Sequence, residues 1–177
     1  MSTTKWILDS THSEIQFKVK HLMITTVTGY FRDFSAYVVT EGEDFGTAKI
    51  AFEAKTATID TNQADRDKHL RSSDFFDAEK FPAINFESEK MEKSGDNEYI
   101  LHGNLTMKGI SKSIKLKVEF GGITKDPWGN TKAGFSLSGK INRYDWNLNW
   151  NAALETGGVL VSDEVRLFCE VQVSKSA

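Results

Sequence analysis

Only one cysteine occurs in the chain, Cys169, and a lone thiol excludes an internal disulfide framework and any multi-cysteine zinc site. Proline is almost as scarce: Pro82 and Pro127 are the two, and no Ser- or Gly-rich linker divides the 177 residues. Fixed-period repeats and low-complexity tracts are missing too. A single domain over residues 1–177 is therefore expected, at a length that buries a core without covalent staples. Charge of one sign is not in excess either. Lys and Arg number 22 against 25 Asp and Glu, interspersed, for a net charge of −3. No basic face advertises nucleic acid. No stretch approaches the roughly 18 apolar residues of a membrane span. The opening "MSTTKWILDS" lacks the basic head and apolar run of a secretion signal. From these absences a cytoplasmic protein is expected.

Reaction signatures are missing as well. There is no GxSxG elbow, Cys–His signature, Walker loop or GxGxxG. His12, His21, His69 and His102 show no HxH or HxxxH spacing, so no metal and no cofactor are expected.

What the chain does have is period-two alternation. In "SEIQFKVKH" Ile15, Phe17, Val19 and His21 share one face, and Glu14, Gln16, Lys18 and Lys20 take the other. The same pattern groups Ala48, Ile50, Phe52 and Ala54; Ile84 and Phe86; Leu101, Gly103, Leu105 and Met107. It also groups Ile114, Leu116, Val118 and Phe120; Ala133, Phe135, Leu137, Gly139 and Ile141; and Val165, Leu167, Cys169, Val171 and Val173. With "VTGYFRDFSAYVV" this makes about eight strands, plus a short one at "KWIL". Alternation slips between Phe31 and Phe34, which predicts a bulge at Arg32–Asp33. One apolar and one charged face per strand describes an all-β protein. Closure removes unpaired edges, so an extended antiparallel up-and-down β-barrel is favoured over a two-sheet sandwich.

The helical signal is confined to one place. "DTNQADRDKHLRSSD" predicts a short helix near residues 62–72, with Asp60, Thr61 or Asn62 as its N-cap. On that helix and the aromatic loop behind it, "RDKHLRSSDFFD" concentrates charge that resembles catalytic apparatus. Salt-bridged loop closure accounts for it better, with Phe75 and Phe76 beneath as a door touched by ligand and solvent. His21 should be buried with a protein partner, since an unpaired imidazole is costly, or serve as a polar anchor for a ligand head group. His102 falls on a solvated face, and Cys169 belongs to inert core.

Twelve phenylalanines and four tryptophans are many for this length. They alternate with small inward residues, Ala48, Ala54, Gly103, Ala133 and Gly139, a mixture that fits a solid tapered barrel or a tunnel.

These stretches resemble the YceI-like family, the bacterial lipocalin-like polyisoprenoid-binding proteins, over roughly residues 6–173. The resemblance is carried by "WILDSTHSEIQFKVKH", "TGYFRDF", "IDTNQADRDKHLRSSDFFDAEKFPAINFES", "GNLTMKGISKSIKLKV", "DPWGNTKAGF" and "GKINRYDWNLNW". Motif positions include His12, His21, Arg66, Asp67, His69, Leu70, Arg71, Asp74, Phe75, Phe76, Phe81 and Phe86. It implies a lipocalin-like barrel whose hydrophobic tunnel holds a long isoprenoid lipid or isoprenoid quinone, with no catalytic residue to carry over. The family often has arginine where Lys132 stands, and Phe–Gly where Trp146–Asn147 stands. The bulkier pair should alter the length or shape of the bound tail.

The candidate lining is Phe17, His21, Phe31, Phe34, Phe52, His69, Leu70, Phe75, Phe76, Phe81, Phe86, Leu105, Met107, Ala133, Phe135 and Trp146. Strands of about 12 residues span roughly 40 Å. Tilted by about 40°, they give a barrel on the order of 30 Å tall, suited to an elongated chain. Carriage or sequestration of such a lipid, with transient membrane contact, is the leading expectation. An enzyme acting on a lipophilic substrate, with His21 or His69 as acid–base and Asp74 assisting, is the second. A solid-cored, stress-related interaction module is the third, dimerising through Trp128, Trp146 or Trp150.

Overall fold

The computed structural model describes residues 2–152, 154 and 159–176. The strands are β1 (Thr3–Leu8), β2 (Glu14–His21), β3 (Thr25–Phe31), β4 (Phe34–Glu41), β5 (Asp44–Lys55) and β6 (Ile59–Asp60). After the helix α1 (Ala64–Arg71) come β7 (Ala83–Gly95), β8 (Glu98–Met107), β9 (Ile110–Lys125), β10 (Thr131–Asn142) and β11 (Val161–Lys175). All pairings are antiparallel. The order β1-β4-β5-β7-β8-β9-β10-β11 closes on itself through β1 and β11, giving an eight-stranded barrel. Closure leaves no free edge in this ring.

Two of the barrel's long strands are broken in the middle. β1 and β2 run end to end along β11, with pairs Leu8↔Val173 and Ile15↔Cys169 on either side of the break. A turn of 3-10 helix, Ser10–His12, fills the gap, started by Asp9 Oδ1 accepting the Thr11 N–H. β3 and β4 are likewise separated by Arg32 and Asp33, the two residues where alternation slips. Phe31 and Phe34 are both buried, so the extra residue keeps two successive rings on the inside. The Arg32 N–H is donated to Thr58 O, and the Asp33 N–H to Thr58 Oγ1.

The helix falls where its sequence signal lies, but its cap is a different residue. Gln63 is the N-cap, its side chain accepting the Arg66 N–H. The expected caps are otherwise engaged: Asp60 Oδ1 accepts the Asn62 N–H, and Thr61 Oγ1 donates to Asp67. Asn62 itself sits at φ 67.

Successive connections alternate between the barrel's ends. One end carries the β4–β5, β7–β8 and β9–β10 hairpins and is sealed by rings. Trp6, with no exposed surface, stacks 4.9 Å from Phe45, which lies 4.8 Å from Phe135 and 5.3 Å from Phe120. The Trp6 indole N–H is donated to the buried Thr40 hydroxyl at 2.9 Å, so the plug leaves no polar group unmatched. The opposite end carries the β2–β3 turn, the α1 segment and the long β10–β11 connection.

Small inward residues do not all hollow the barrel. A Cβ on Gly103 would lie 2.4 Å from the Phe86 ring and 2.5 Å from Glu87 O; one on Gly139 would lie 2.7 Å from Leu116. These glycines seat larger side chains. Ala48 and Ala54, by contrast, do face empty space.

Candidate functional site

The barrel interior holds two apolar chambers in series. The inner one, about 180 Å³, is walled by side chains of every strand except β6. Among its lining residues Gln16 is the one with a polar amide, and that amide is donated outward to Tyr30 Oη at 3.3 Å. A cavity of such size and lining stays dry and accepts apolar guests, since water finds no partners in it. The outer chamber, about 390 Å³, lies under α1 and the β10–β11 connection and reaches the surface beside His21, Asp65 and Arg66. Phe17, Phe31, Met107, Ile141 and Leu167 line both chambers and form the waist between them. The cavity excludes the solid-core reading.

Of the sixteen candidate lining residues, Phe52, Phe86, Leu105 and Phe135 face the inner chamber. Phe17, Phe31 and Met107 sit at the waist, and His21, His69, Leu70, Phe75 and Phe76 face the outer chamber. Four lie off the cavity. Phe34 packs against Phe52, with centroids 6.4 Å apart. Phe81 covers Gly109 beneath Lys80. Ala133 is 1% exposed beside the aromatic plug, and Trp146, also 1% exposed, donates its indole N–H to Leu105 O at 2.9 Å. Alternation gives Phe34 and Ala133 a face but not a height along the barrel, whereas Phe81 and Trp146 lie outside the strands, where no alternation places a side chain. The Trp146–Asn147 pair thus seals packing rather than trimming the cavity. Asn147 has φ 62, a left-handed conformation that Asn shares with Gly.

The charged segment over the outer chamber is held by hydrogen bonds rather than ion pairs. Asp67, buried, accepts from both the N–H and the hydroxyl of Thr61. Arg66 donates Nε to Thr61 Oγ1 and Nη2 to Thr61 O. The one charge-type contact within it is His69 Nε2 to Asp74 Oδ2 at 2.9 Å. Phe75 and Phe76 beneath are 6% and 9% exposed, so they are wall rather than a solvent-wetted door. Phe76 meets Phe31 edge-on at 5.8 Å, and Phe75, His69 and Trp150 pack mutually within 5.6 Å.

His21 is half-buried against the outer chamber, and its imidazole has no hydrogen-bond partner among the described residues. The expected protein partner is therefore not found. His12 bonds Asp9, and His102, half-buried on the outer face, bonds Glu92 at 2.9 Å. Cys169 does face the interior, and burial pushes its thiol up to about 12, which leaves almost no thiolate at neutral pH.

Several wall residues of the outer chamber escaped the sequence reading, Arg143, Leu148 and Leu160 among them. Arg143, 3% exposed, donates Nε to Ser162 O, Nη1 to Leu148 O and Trp150 O, and Nη2 to Val161 O. Burial lowers its pKa. Four carbonyl dipoles solvate the charge in place of a carboxylate. By gathering these carbonyls, Arg143 holds Leu148, Trp150 and Val161 against the outer chamber. The segment has no periodicity from which such a wall could be read. The one clue was an arginine ending an apolar-alternating strand.

Among the described residues no cluster of His, Cys, Asp and Glu could hold a metal. The Ser72 hydroxyl beside the His69–Asp74 pair is engaged with backbone, donating to His69 O and accepting the Asp74 N–H, and among the described residues no hydroxyl or thiol is bonded to the His69 imidazole. What this arrangement can do is exclude water from a long apolar guest while meeting its exposed end with rings and a few polar groups.

A profile of the YceI-like domain matches residues 6–173. The chain belongs to the YceI-like family. It is 38% identical over 172 residues to a UPF0312 protein of Staphylococcus epidermidis, covering 97% of this chain and 98% of that one. Among solved structures, the Campylobacter jejuni YceI protein superposes with a TM-score of 0.78 at 35% identity, covering 89% of this chain and 90% of that one. A polyisoprenoid binding domain from Saccharophagus degradans superposes at 0.73 with 12% identity, covering 97% of this chain and 98% of that one. At that identity the likeness is one of fold. No helix among the described residues is long and apolar enough to cross a membrane.

Proposed function

We propose that this YceI-like protein binds a long, mostly hydrocarbon lipid of the isoprenoid class and carries or sequesters it without chemical change. The observation that supports this is the pair of chambers joined end to end, apolar throughout the inner one, plugged at one end and open at the other. A tail enters past His21 and α1, threads the waist at Phe17 and Phe31, and ends against Phe45 and Phe135. Each buried methylene contributes about 0.8 kcal/mol, so a tail needs no polar anchor to bind tightly. The polar groups at the outer chamber, His21, Arg66 and His69, meet the head. The fold shared with the polyisoprenoid binding domain from Saccharophagus degradans is in keeping with this class.

Native mass spectrometry of freshly purified protein, followed by solvent extraction, tests the reading. A near-stoichiometric apolar adduct is expected. Protein that stays empty after expression in several lipid backgrounds, and takes up no added polyprenol, would refute it.

A further inference from the structure

The turn joining β2 to β3 carries three successive apolar side chains into solvent. Leu22 is 39% exposed, Met23 58% and Ile24 76%. Nothing about the backbone favours these residues here. Leu22 and Met23 lie at φ 54 and 63, and the Ile24 N–H closes the turn onto His21 O at 3.2 Å. Consecutive left-handed residues are what Asn-Gly or Gly-Gly supplies at little cost, whereas bulky side chains there are strained. The chain therefore holds apolar bulk outward where folding alone would prefer small polar residues. Such strain, once observed, points to a use for the segment.

Its position says which use. The neighbours Lys20 and His21 line the outer chamber, and the Leu22 N–H is donated to the carbonyl of Leu160, another chamber residue. The apolar tip thus stands at the rim of the opening through which a lipid would pass. We infer that the Leu22–Met23–Ile24 tip inserts into the surface of a lipid bilayer and docks the chamber mouth against it. This inference rests on the lipid-binding reading and names where the ligand is exchanged.

A second protein is the competing occupant, and area decides against it. Three side chains on a narrow turn offer a few hundred Å², against the ~800 Å² per partner of a stable interface. A bilayer asks for less, since shallow burial of an apolar edge suffices for reversible attachment. The net charge is −3, and at the mouth Lys20 and Arg66 are accompanied by Asp65, so little excess of positive charge is available to draw an anionic surface. Docking should accordingly be apolar in origin and insensitive to salt.

The test uses co-flotation of the whole protein with phosphatidylcholine vesicles, in low salt and in about 0.5 M salt. The variant is Leu22→Asn with Met23→Gly, chosen because it relieves the left-handed strain instead of adding to it. Wild type should float in both salts. The double variant should float about tenfold less or worse, as expected from removing two apolar side chains from the attachment. It should also melt no lower than wild type and take up a fluorescent polyprenol analogue equally well in solution. Equal flotation of the variant, no flotation of wild type, or a wild-type dimer that the variant dissolves would each overturn the proposal. Failure of wild type to take up the fluorescent probe would overturn the ligand reading and this proposal with it.

Discussion

The ring of Phe17 occupies the space that a side chain at position 29 would need: a Cβ built on Gly29 falls 2.1 Å from Phe17 Cζ. The two residues are cross-strand partners on β2 and β3, and Phe17 forms part of the waist between the chambers. Gly29 is thus a hollow that keeps a ring out of the passage.

Gly29→Ala should push that ring toward the waist. A loss of stability of about 1–3 kcal/mol is expected from the overpacking. Native mass spectra should show shorter bound tails, or none. Full-length tails on a variant of unchanged melting temperature would mean that Phe17 swings elsewhere.

Two alanines on inward faces should respond oppositely to enlargement. Ala48 faces the inner chamber, so Ala48→Leu fills empty space and should leave the lipid-free protein as stable as wild type while shortening the tail it accepts. Ala133 is enclosed beside the plug, and Ala133→Trp should cost about 3 kcal/mol or more by overpacking. Thermal melts of delipidated proteins separate the two. Comparable losses at both sites would show that the inner chamber does not persist in solution.

Removing the Phe76 ring should hurt the fold before it hurts retention. Its edge-on contact with Phe31 and its burial predict a destabilisation of ~3 kcal/mol for Phe76→Ala. Faster ligand release without any loss in urea stability would restore the picture of a loose door.

Asp9 should make the barrel acid-sensitive at its broken strand. Its carboxylate is held well below the usual range by the Thr11 hydroxyl and then by His12. Because the folded pKa is depressed, the stabilisation is complete above the unfolded value of about 4 and is lost as pH falls below it. Asp9→Asn should therefore cost on the order of 1–2 kcal/mol at pH 7, with the gap to wild type closing in acid. A gap that stays constant down to the acid transition would assign the effect to packing.

Much of the wall was legible from parity alone. Phe17, Phe52, Phe86, Leu105 and Phe135 face inward because a strand's side chains alternate until the strand is interrupted, and the slip in alternation at Arg32–Asp33 marks a break between β3 and β4 where a bulge was expected. Height along the axis is not legible, so Phe34 and Ala133 do not reach the cavity that their parity suggests, and Phe81 and Trp146 lie in connections, where parity says nothing. The outer chamber's far wall was hidden for a different reason. Arg143 organises it through carbonyls, and backbone acceptors leave no trace in residue identity. The helix cap failed on competition, since Asp60 and Thr61 were suitable acceptors already committed to other donors.

Closure of the barrel by β1 against β11 sets an order on how the protein can be made. Leu8 pairs with Val173 and Trp6 with Lys175, contacts between nearly opposite ends of the chain. During synthesis at roughly 5–20 residues per second, β1 leaves the ribosome many seconds before its second partner exists. Until then Trp6 has no enclosed place, and β11's seat along β10, β1 and β2 is an open slot with unpaired edges. Sequence-distant pairing of this kind folds slowly. The nascent chain is thus a sticky, half-built barrel for most of its time on the ribosome, and its dependence on chaperones should exceed that of a helical protein of equal length.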